Sequence, residues 1–209
     1  MSHPISLRIL LTHPQVGGSS GHASIALAVA YPSLKFIIQD LPSVIYTSQT
    51  DLTTIHTSVS KRLTFQEHDF FQPQPVRHAE IYLLRMILHD WPAEEAISIL
   101  TNIAQVLKPG SRIIIMDTIL PAPGSIPRSE ESLLRVRDLT MMQAFNSCER
   151  SLEDWADLLA KTDARLKMQS VRQPFGSAMA IMEVVLNNTG PNSAVNGNGM
   201  EVNRDGARH

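Results

Sequence analysis

The chain lacks several features that would place it in other classes of protein. It has one cysteine, Cys148, so no internal disulfide can form, which is typical of a reducing compartment. The formal net charge of −2 gives no electrostatic basis for binding nucleic acid or an anionic membrane. No apolar run reaches the roughly twenty residues that cross a bilayer, and residues 1–6 do not resemble a signal peptide. We therefore expect a cytoplasmic protein that binds neither nucleic acid nor membrane, with Cys148 as a small buried side chain.

The composition that remains is that of an ordinary globular protein. The 209 residues include 43% hydrophobic and 18% charged residues, a balance that suits one domain. Apolar segments alternate with amphipathic ones, which predicts an α/β fold with helices covering a parallel sheet. From residue 187 onward Asn, Gly and Ser dominate. The sequence thus predicts one domain over residues 1–186 and a disordered tail over residues 187–209.

One segment carries more chemical information than any other. Between Leu83 and Pro92 an apolar stretch ends in His89, Asp90 and Trp91. Such a stretch predicts a buried strand, and α/β folds place ligands and reactive side chains at the carboxyl ends of their strands. Because the unperturbed pKa of histidine lies near neutrality, His89 could act as a base there. It could equally do no more than pack at the end of a strand.

Other features in the first half of the chain form a pattern with His89. A turn rich in glycine precedes a predicted helix over residues 23–30, and it lets the backbone approach a ligand closely. Its glycines are Gly17, Gly18 and Gly21. Asp40 ends the predicted second strand, where nucleotide-binding folds grip a ribose, and Asp69 ends the third. The turn alone is weak evidence, but the order of turn, Asp40, Asp69 and His89 is a stronger pattern.

The second half of the chain continues the alternation of helices and strands. The patterns predict a helix from Pro92 to Leu107, a strand from Ile113 to Met116 that ends at Asp117, a helix capped by Ser129, another capped by Ser151, and closing strands over residues 166–171 and 178–186. In the helix after Ser129, Met141, Met142 and Phe145 could line a pocket or fill the core.

Together these residues resemble the catalytic domain of the caffeate-type O-methyltransferases of plant and fungal secondary metabolism, which use S-adenosylmethionine. The resemblance extends over about residues 16–186. It is carried by the segments Gln39–Pro42, His68–Phe71, Leu88–Trp91, Asp138–Met142 and Gly176–Met179. It implies a Rossmann-like, seven-stranded class I methyltransferase sheet, mostly parallel with an antiparallel last strand.

The resemblance also assigns roles to individual residues. Asp40 would bind the ribose and Asp69 the adenine of S-adenosylmethionine, with Arg85 near its methionine end. His89 would deprotonate the substrate hydroxyl. The further residues implied are Gly17, Gly18, Gly21 and Phe70 at the cofactor, Asp117 and Glu149 flanking His89, and Asp90, Trp91, Met141, Met142 and Phe145 at the substrate. No metal is expected, since His, Asp and Glu show no metal-ligand spacing.

Departures from the family pattern leave other functions open. Gln15 stands where the family usually has an acid, Ser19 replaces the third glycine, and Pro14 interrupts a first strand expected at Leu7–Leu11, because proline cannot donate to a sheet. This degenerate strand falls within residues 1–16. The family's N-terminal domain, which supplies dimer contacts and part of the pocket, is absent from this sequence. We therefore expect a homo-oligomer or a heteromeric partner.

Three functional hypotheses follow. The first is an S-adenosylmethionine-dependent O-methyltransferase that acts on a hydroxylated aromatic or polyketide-type metabolite, with His89 as the general base. The second is a repurposed fold that catalyses a cyclisation or isomerisation without methyl transfer. The third is a truncated, non-catalytic domain that binds a partner. The acids and His89 favour the first two hypotheses, whereas Gln15, Ser19 and Pro14 favour the last two.

Overall fold

The structure is a computed structural model that describes residues 12–50, 56–187 and 203–204. Seven strands of five or more residues form its central sheet. They are β1 (Thr12–Val16), β2 (Lys35–Asp40), β3 (Leu63–Glu67), β4 (Ile81–Arg85), β5 (Arg112–Leu120), β7 (Leu166–Gln173) and β8 (Met179–Leu186). Two short strands are added, β6 (Arg150–Ser151) beside β5 and β9 (Asn203–Arg204) beside β7.

The long strands lie in the order β3-β2-β1-β4-β5-β8-β7. The strands from β3 to β5 in this order pair in parallel. The strand β8, by contrast, runs antiparallel to both of its neighbours, β5 and β7. This arrangement confirms the predicted fold class. Because the first five strands are parallel, their carboxyl ends meet at one edge of the sheet, where such folds bind ligands.

Within the described residues, six helices and one 3-10 turn connect these strands. They are α1 (His22–Ala30), α2 (Pro42–Thr50), α3 (Thr57–Ser60), the 3-10 turn Leu88–Asp90, α4 (Ala93–Ala104), α5 (Arg128–Phe145) and α6 (Leu152–Thr162). The main core packs the apolar sides of α4 and α6 against the centre of the sheet. Its largest fully buried side chains include Trp155, Tyr82, Leu84, Leu100, Ile113 and Leu159.

Two of the predicted helix caps have different outcomes. Ser151 begins α6 in a capping box with Asp154, in which each side chain bonds the backbone N–H of the other, as the sequence predicts. The prediction that Ser129 caps α5 is wrong. The helix starts at Arg128, after the N-cap residue Pro127, which makes no side-chain cap. Ser129 therefore lies inside the first turn, where its side chain is past the N-cap position.

The first strand also differs from the prediction. It is Thr12–Val16, and Pro14 lies inside it, whereas Leu7–Leu11 lies outside the described residues. Pro14 is tolerated because β1 pairs with β4 only from Gln15 onward, where a missing N–H removes nothing from that ladder. The predicted disordered tail falls almost entirely outside the described residues.

Three residues have a different position in the fold, or a different exposure, from the one predicted. The strand β4 ends at Arg85, so His89 lies in the 3-10 turn after the strand and not at its tip. Asp117 lies inside β5, opposite Ala180 of β8, because the strand continues for three residues beyond it. Cys148 is exposed, and the prediction of a buried thiol is wrong.

Within the described part of the chain, no helix is both long and apolar enough to span a membrane.

Candidate active site

A cleft of about 1020 Å³ opens at the carboxyl edge of the parallel strands. The predicted site residues that line it are Gly17, Gly18, Asp40, Asp69, Phe70, Arg85, Asp90, Trp91 and Phe145. The fold thus brings together most of the cofactor residues that the family resemblance implies. Met141 is half-buried and Met142 is 57% exposed, and neither belongs to the wall of this cleft.

The glycines of the turn between β1 and α1 have no room for a side chain. A Cβ atom on Gly17 would lie 2.5 Å from Cδ1 of Ile87, and one on Gly21 would lie 2.6 Å from Cδ1 of Ile38. Both glycines also have positive φ, +66° and +78°, which L side chains rarely adopt. The backbone of this turn is therefore bare at the cleft wall, as close contact with a ligand requires.

Asp40 closes the turn from the opposite side. Its Oδ2 accepts a hydrogen bond of 2.7 Å from the backbone N–H of Ser19, and its Oδ1 accepts one of 2.8 Å from that of Leu41. A carboxylate offers about four acceptor positions, so two remain for hydroxyl groups in the cleft. Ser19, where the family has glycine, takes a left-handed conformation with φ of 49°, and its N–H thereby reaches Asp40.

The neutral Gln15 is held by a partner that suits an amide. Its side chain is buried, and Oε1 accepts a hydrogen bond of 2.6 Å from the hydroxyl of Ser24. Ser24 lies in the first turn of α1, so this bond ties the end of β1 to the helix that follows the glycines. The turn is therefore intact although the usual acid is absent.

Aromatic side chains form a second wall of the cleft. Phe70, Phe71 and Trp91 pack edge to face, with ring centroids 5.1, 5.8 and 4.8 Å apart. Asp69 stands before them, and its Oδ1 accepts a hydrogen bond of 3.0 Å from the backbone N–H of Phe71. Such a carboxylate can accept a hydrogen bond from the polar edge of a purine base, while the aromatic side chains pack against its flat face.

His89 lies at the centre of a cluster of three carboxylates, of which those of Asp117 and Glu149 are buried. Its Nδ1 lies 3.2 Å from Oε1 of Glu149, and its Nε2 lies 3.4 Å from Oδ1 of Asp90 and 3.9 Å from Oδ1 of Asp117. The structure thus brings Asp117 and Glu149, which are distant in sequence, to the imidazole of His89. His89 is only 3% exposed and does not itself line the cleft; the cleft wall includes its neighbour Asp90, whose Oδ1 faces Nε2 of His89.

The electrostatics of this cluster follow from burial and charge. Burial disfavours a charged imidazole, but the hydrogen bond to Glu149 and the negative charges around the ring outweigh it and raise the pKa of His89. Burial raises the pKa of Asp117 to about 7, with His89 opposing the shift. Burial also raises the pKa of Asp90. Neither oxygen of Asp117 has a hydrogen-bond partner among the described residues, which explains why its neutral form is favoured.

Two arginines near the cluster were missed by the sequence reasoning. Arg150 is 3% exposed and donates hydrogen bonds of 2.7 Å to the carbonyls of Leu88 and Trp91, so it holds both ends of the turn that carries His89. Nε of Arg137 lies 3.2 Å from Oε1 of Glu149. Their positions in the sequence could have indicated a role, because Arg150 directly follows Glu149 and Arg137 directly precedes the segment Asp138–Met142.

Comparison with known proteins places the chain in a family. Residues 5–163 match the O-methyltransferase domain family model, and the chain belongs to that family. It is 56% identical over 172 residues to the O-methyltransferase VdtC of Byssochlamys spectabilis, which covers 81% of this chain and 40% of the relative. The predicted family is thus confirmed. The chain spans about two fifths of that relative's length.

Solved structures share the fold. A pericyclic reaction enzyme superposes with a TM-score of 0.74 at 32% identity, over 85% of this chain and 43% of that one. The O-methyltransferase NcsB1 from neocarzinostatin biosynthesis was solved in complex with S-adenosylmethionine and 2-hydroxy-5-methyl naphthoic acid. It superposes with a TM-score of 0.71 at 25% identity, over 86% of this chain and 50% of that one.

Proposed function

We propose that this protein is an S-adenosylmethionine-dependent O-methyltransferase that acts on a hydroxylated aromatic or polyketide-type metabolite. The observation that carries the proposal is the position of His89, which a buried carboxylate holds at Nδ1 beside the ligand cleft. The family match supports the reaction type. The naphthoic acid bound to NcsB1 supports an aromatic substrate.

The residues of the cleft fit the cofactor. The bare glycine turn allows close approach of its methionine portion, Asp40 keeps acceptor positions for ribose hydroxyls, and Asp69 with Phe70 suits the adenine. When bound, S-adenosylmethionine supplies a methyl group that is already activated as a sulfonium. The protein therefore has to bind the two reactants in line and remove one proton.

His89 is the group that removes this proton. Because Glu149 accepts from Nδ1–H, the neutral imidazole carries its lone pair on Nε2. Nε2 faces Asp90, a residue of the cleft wall, so a substrate hydroxyl approaches from that side. Proton removal by a positioned base contributes typically about a hundred- to ten-thousand-fold in rate. The carboxylates around the ring stabilise the imidazolium that forms.

Isothermal titration calorimetry with S-adenosylmethionine tests the cofactor assignment. Asp40→Asn should weaken binding by roughly 1.5–3 kcal/mol, the scale of a charge-assisted hydrogen bond. Asp157→Asn, on the exposed side of α6, is the matched control and should bind like the wild type. Equal affinity of the wild type and Asp40→Asn, or no binding to either, would refute the assignment.

A second candidate is catalysis of a cyclisation or isomerisation without methyl transfer. It is favoured by the likeness to a pericyclic reaction enzyme, which is 32% identical in sequence over an alignment that covers 85% of this chain. His89 would serve the same purpose as a proton acceptor or donor. Mass spectrometry of the product separates the two candidates, since one product gains a methyl group and the other keeps the mass of the substrate.

We also propose that the domain self-associates through α5. This helix buries none of its residues within the chain. Its exposed apolar side chains are Leu133, Val136, Leu139, Met142 and Phe145. Such a surface usually marks a protein interface. Arg128 and Glu131 lie on the same helix, so the surface offers both signs of charge, which can pair when the same patch of two copies meets in a two-fold contact.

A further inference from the structure

One oxygen of Glu149 faces two cationic or potentially cationic groups. Oε1 lies 3.2 Å from Nδ1 of His89 and 3.2 Å from Nε of Arg137. The side chain of Glu149 is fully buried, whereas that of Arg137 is 32% exposed. The other oxygen, Oε2, is buried without a hydrogen-bond partner among the described residues. The position of the carboxylate therefore depends on what holds Oε1.

The residue after Arg137 holds the backbone of Glu149. Oδ1 of Asp138 accepts a hydrogen bond of 2.9 Å from the backbone N–H of Glu149. Two consecutive residues of α5 thus fix the side chain and the main chain of the same glutamate. Since α5 buries none of its residues, this double contact is a specific link between the helix and the buried cluster.

Arg137 is also placed to balance charge. Three carboxylates, those of Asp90, Asp117 and Glu149, surround one imidazole. The neighbouring Arg150 directs its guanidinium to backbone carbonyls. Among the described residues, Arg137 is therefore the arginine that pairs with a carboxylate of the cluster. Such a pair is needed because a buried carboxylate without a cation is costly.

We propose that Arg137 is a positioning residue for the base: it holds Glu149 against Nδ1 of His89 and shares the charge of that carboxylate, so that the imidazole releases its proton more readily than it would beside an unpaired carboxylate. Without Arg137 the carboxylate would act on the imidazole alone and stabilise the imidazolium, which cannot accept a proton. This inference rests on the proposed function of His89 as a base. It extends that function to a residue outside the cleft wall.

The test is a titration of His89 that needs no turnover. The imidazole 15N signals of the wild type are followed by NMR against pH, and His89→Gln identifies the signals of His89. Arg137→Gln should raise the pKa of His89 by roughly one unit, because it removes a neighbouring positive charge. Arg135→Gln is the matched control, since Arg135 pairs with Glu131 on the same helix and should leave the titration unchanged.

Methyl transfer provides the second measurement. On the acid limb of the pH–rate profile, Arg137→Gln should lose roughly tenfold in kcat, which corresponds to a shift of about one pKa unit, and it should recover at higher pH, with unchanged affinity for S-adenosylmethionine. Arg137→Lys keeps the charge and should restore most of the rate. If Arg137→Gln does not fold, the titration of His89 and the rate can still be measured in Arg137→Lys.

The outcomes separate the two proposals. An unshifted titration of His89 in a folded Arg137→Gln would overturn the role of Arg137, whatever the rate. A shifted titration together with a pH–rate profile like that of the wild type would instead overturn the role of His89 as the base. Full methyl transfer by His89→Gln would also refute the proposed function, while the titration in Arg137→Gln would still report on Arg137.

Discussion

Nδ1 of His89 lies 3.2 Å from Oε1 of Glu149 although 60 residues separate them in the chain. Neighbouring strands explain the contact. His89 lies in the turn after β4, and β4 pairs with β5. Glu149 directly precedes β6, which pairs with the end of β5 at Ile119 and Leu120. The two residues therefore meet at the carboxyl edge of the sheet, beside the cleft.

This contact predicts a specific pH dependence. A base must be neutral, and the pKa of His89 is raised above its ordinary value, so methyl transfer should increase as pH rises through a value above 6.5. Glu149→Gln removes a negative partner and should move the acid limb of the pH–rate profile to lower pH. The profile of kcat/KM for both proteins is the measurement. An acid limb that stays in place in Glu149→Gln would contradict the coupling.

The buried carboxylate of Asp117 should lower the free energy of unfolding at and above neutral pH. Its pKa of about 7 in the folded protein lies above its ordinary value of 3.8, so the native state binds its proton more tightly than the unfolded chain. Protonation of Asp117 therefore contributes fully to the free energy of unfolding below about pH 4, and this contribution is lost as the pH rises through about 7. Asp117→Asn should therefore raise the free energy of unfolding at pH 8 by about 1–4 kcal/mol and have little effect at pH 4.

Urea unfolding of both proteins at the two pH values measures this difference, and Asp157→Asn on the surface of α6 controls for the loss of a charge. A stabilisation of Asp117→Asn that is the same at both pH values would show that the buried charge is not its cause. We also expect the variant to lose activity, because it removes a carboxylate from the Nε2 side of His89.

The fold could be predicted from the sequence because its signals are local. In runs such as Ile113–Met116 one face of the strand is buried and the other is half-buried, and Ser151 carries its capping partner Asp154 within the next turn. The first strand could not be placed, because the exclusion of Pro14 from a strand depends on which neighbour its missing N–H would meet. That neighbour, β4, pairs only from Gln15 onward, and pairing is a property of the whole sheet.

The candidate site was predictable where residues follow strands and less so where they meet by packing. Asp40 ends β2, as the strand pattern predicts, whereas Asp69 lies two residues beyond the end of β3. The depth of Asp117 within β5 and the role of Arg150 depend on contacts between segments distant in sequence, which no local pattern encodes. A buried arginine is rare without a partner, and the partners of Arg150 are backbone carbonyls that the sequence does not reveal.

Arg150 should be important for stability and for the position of His89. Arg150→Ala leaves the carbonyls of Leu88 and Trp91 without donors and opens a cavity beside Trp155, over which the guanidinium lies at 5.3 Å. We expect a loss of roughly 2–5 kcal/mol in the free energy of unfolding. Arg150→Lys keeps the charge but not the second donor position, and it should fall between the two. Chemical denaturation would contradict this account if the alanine variant were as stable as the wild type.

The crowding at Gly21 can be separated from its backbone strain. Gly21 and Gly124 have similar positive φ, +78° and +74°, but a Cβ on Gly124 would meet nothing within 4 Å. Alanine at either position carries the cost of the left-handed conformation, about 1–2 kcal/mol. Gly21→Ala should lose additional stability through its clash with Ile38, and it should bind S-adenosylmethionine more weakly. Equal thermal stability of the two variants would mean that Ile38 moves aside freely.

The exposed face of α5 predicts self-association that depends on concentration. Leu133 and Val136 are 73% and 61% exposed, and burial of such side chains gains about 25 cal/mol per Å² of apolar surface. Light scattering across a wide range of concentration should show dimers or larger species for the wild type, and Leu133→Glu with Val136→Glu should shift them to monomers. Tyr46→Glu, at a residue of α2 that is 79% exposed, is the control and should change nothing. A wild type that stays monomeric throughout, with full activity, would show that α5 is not an interface between copies.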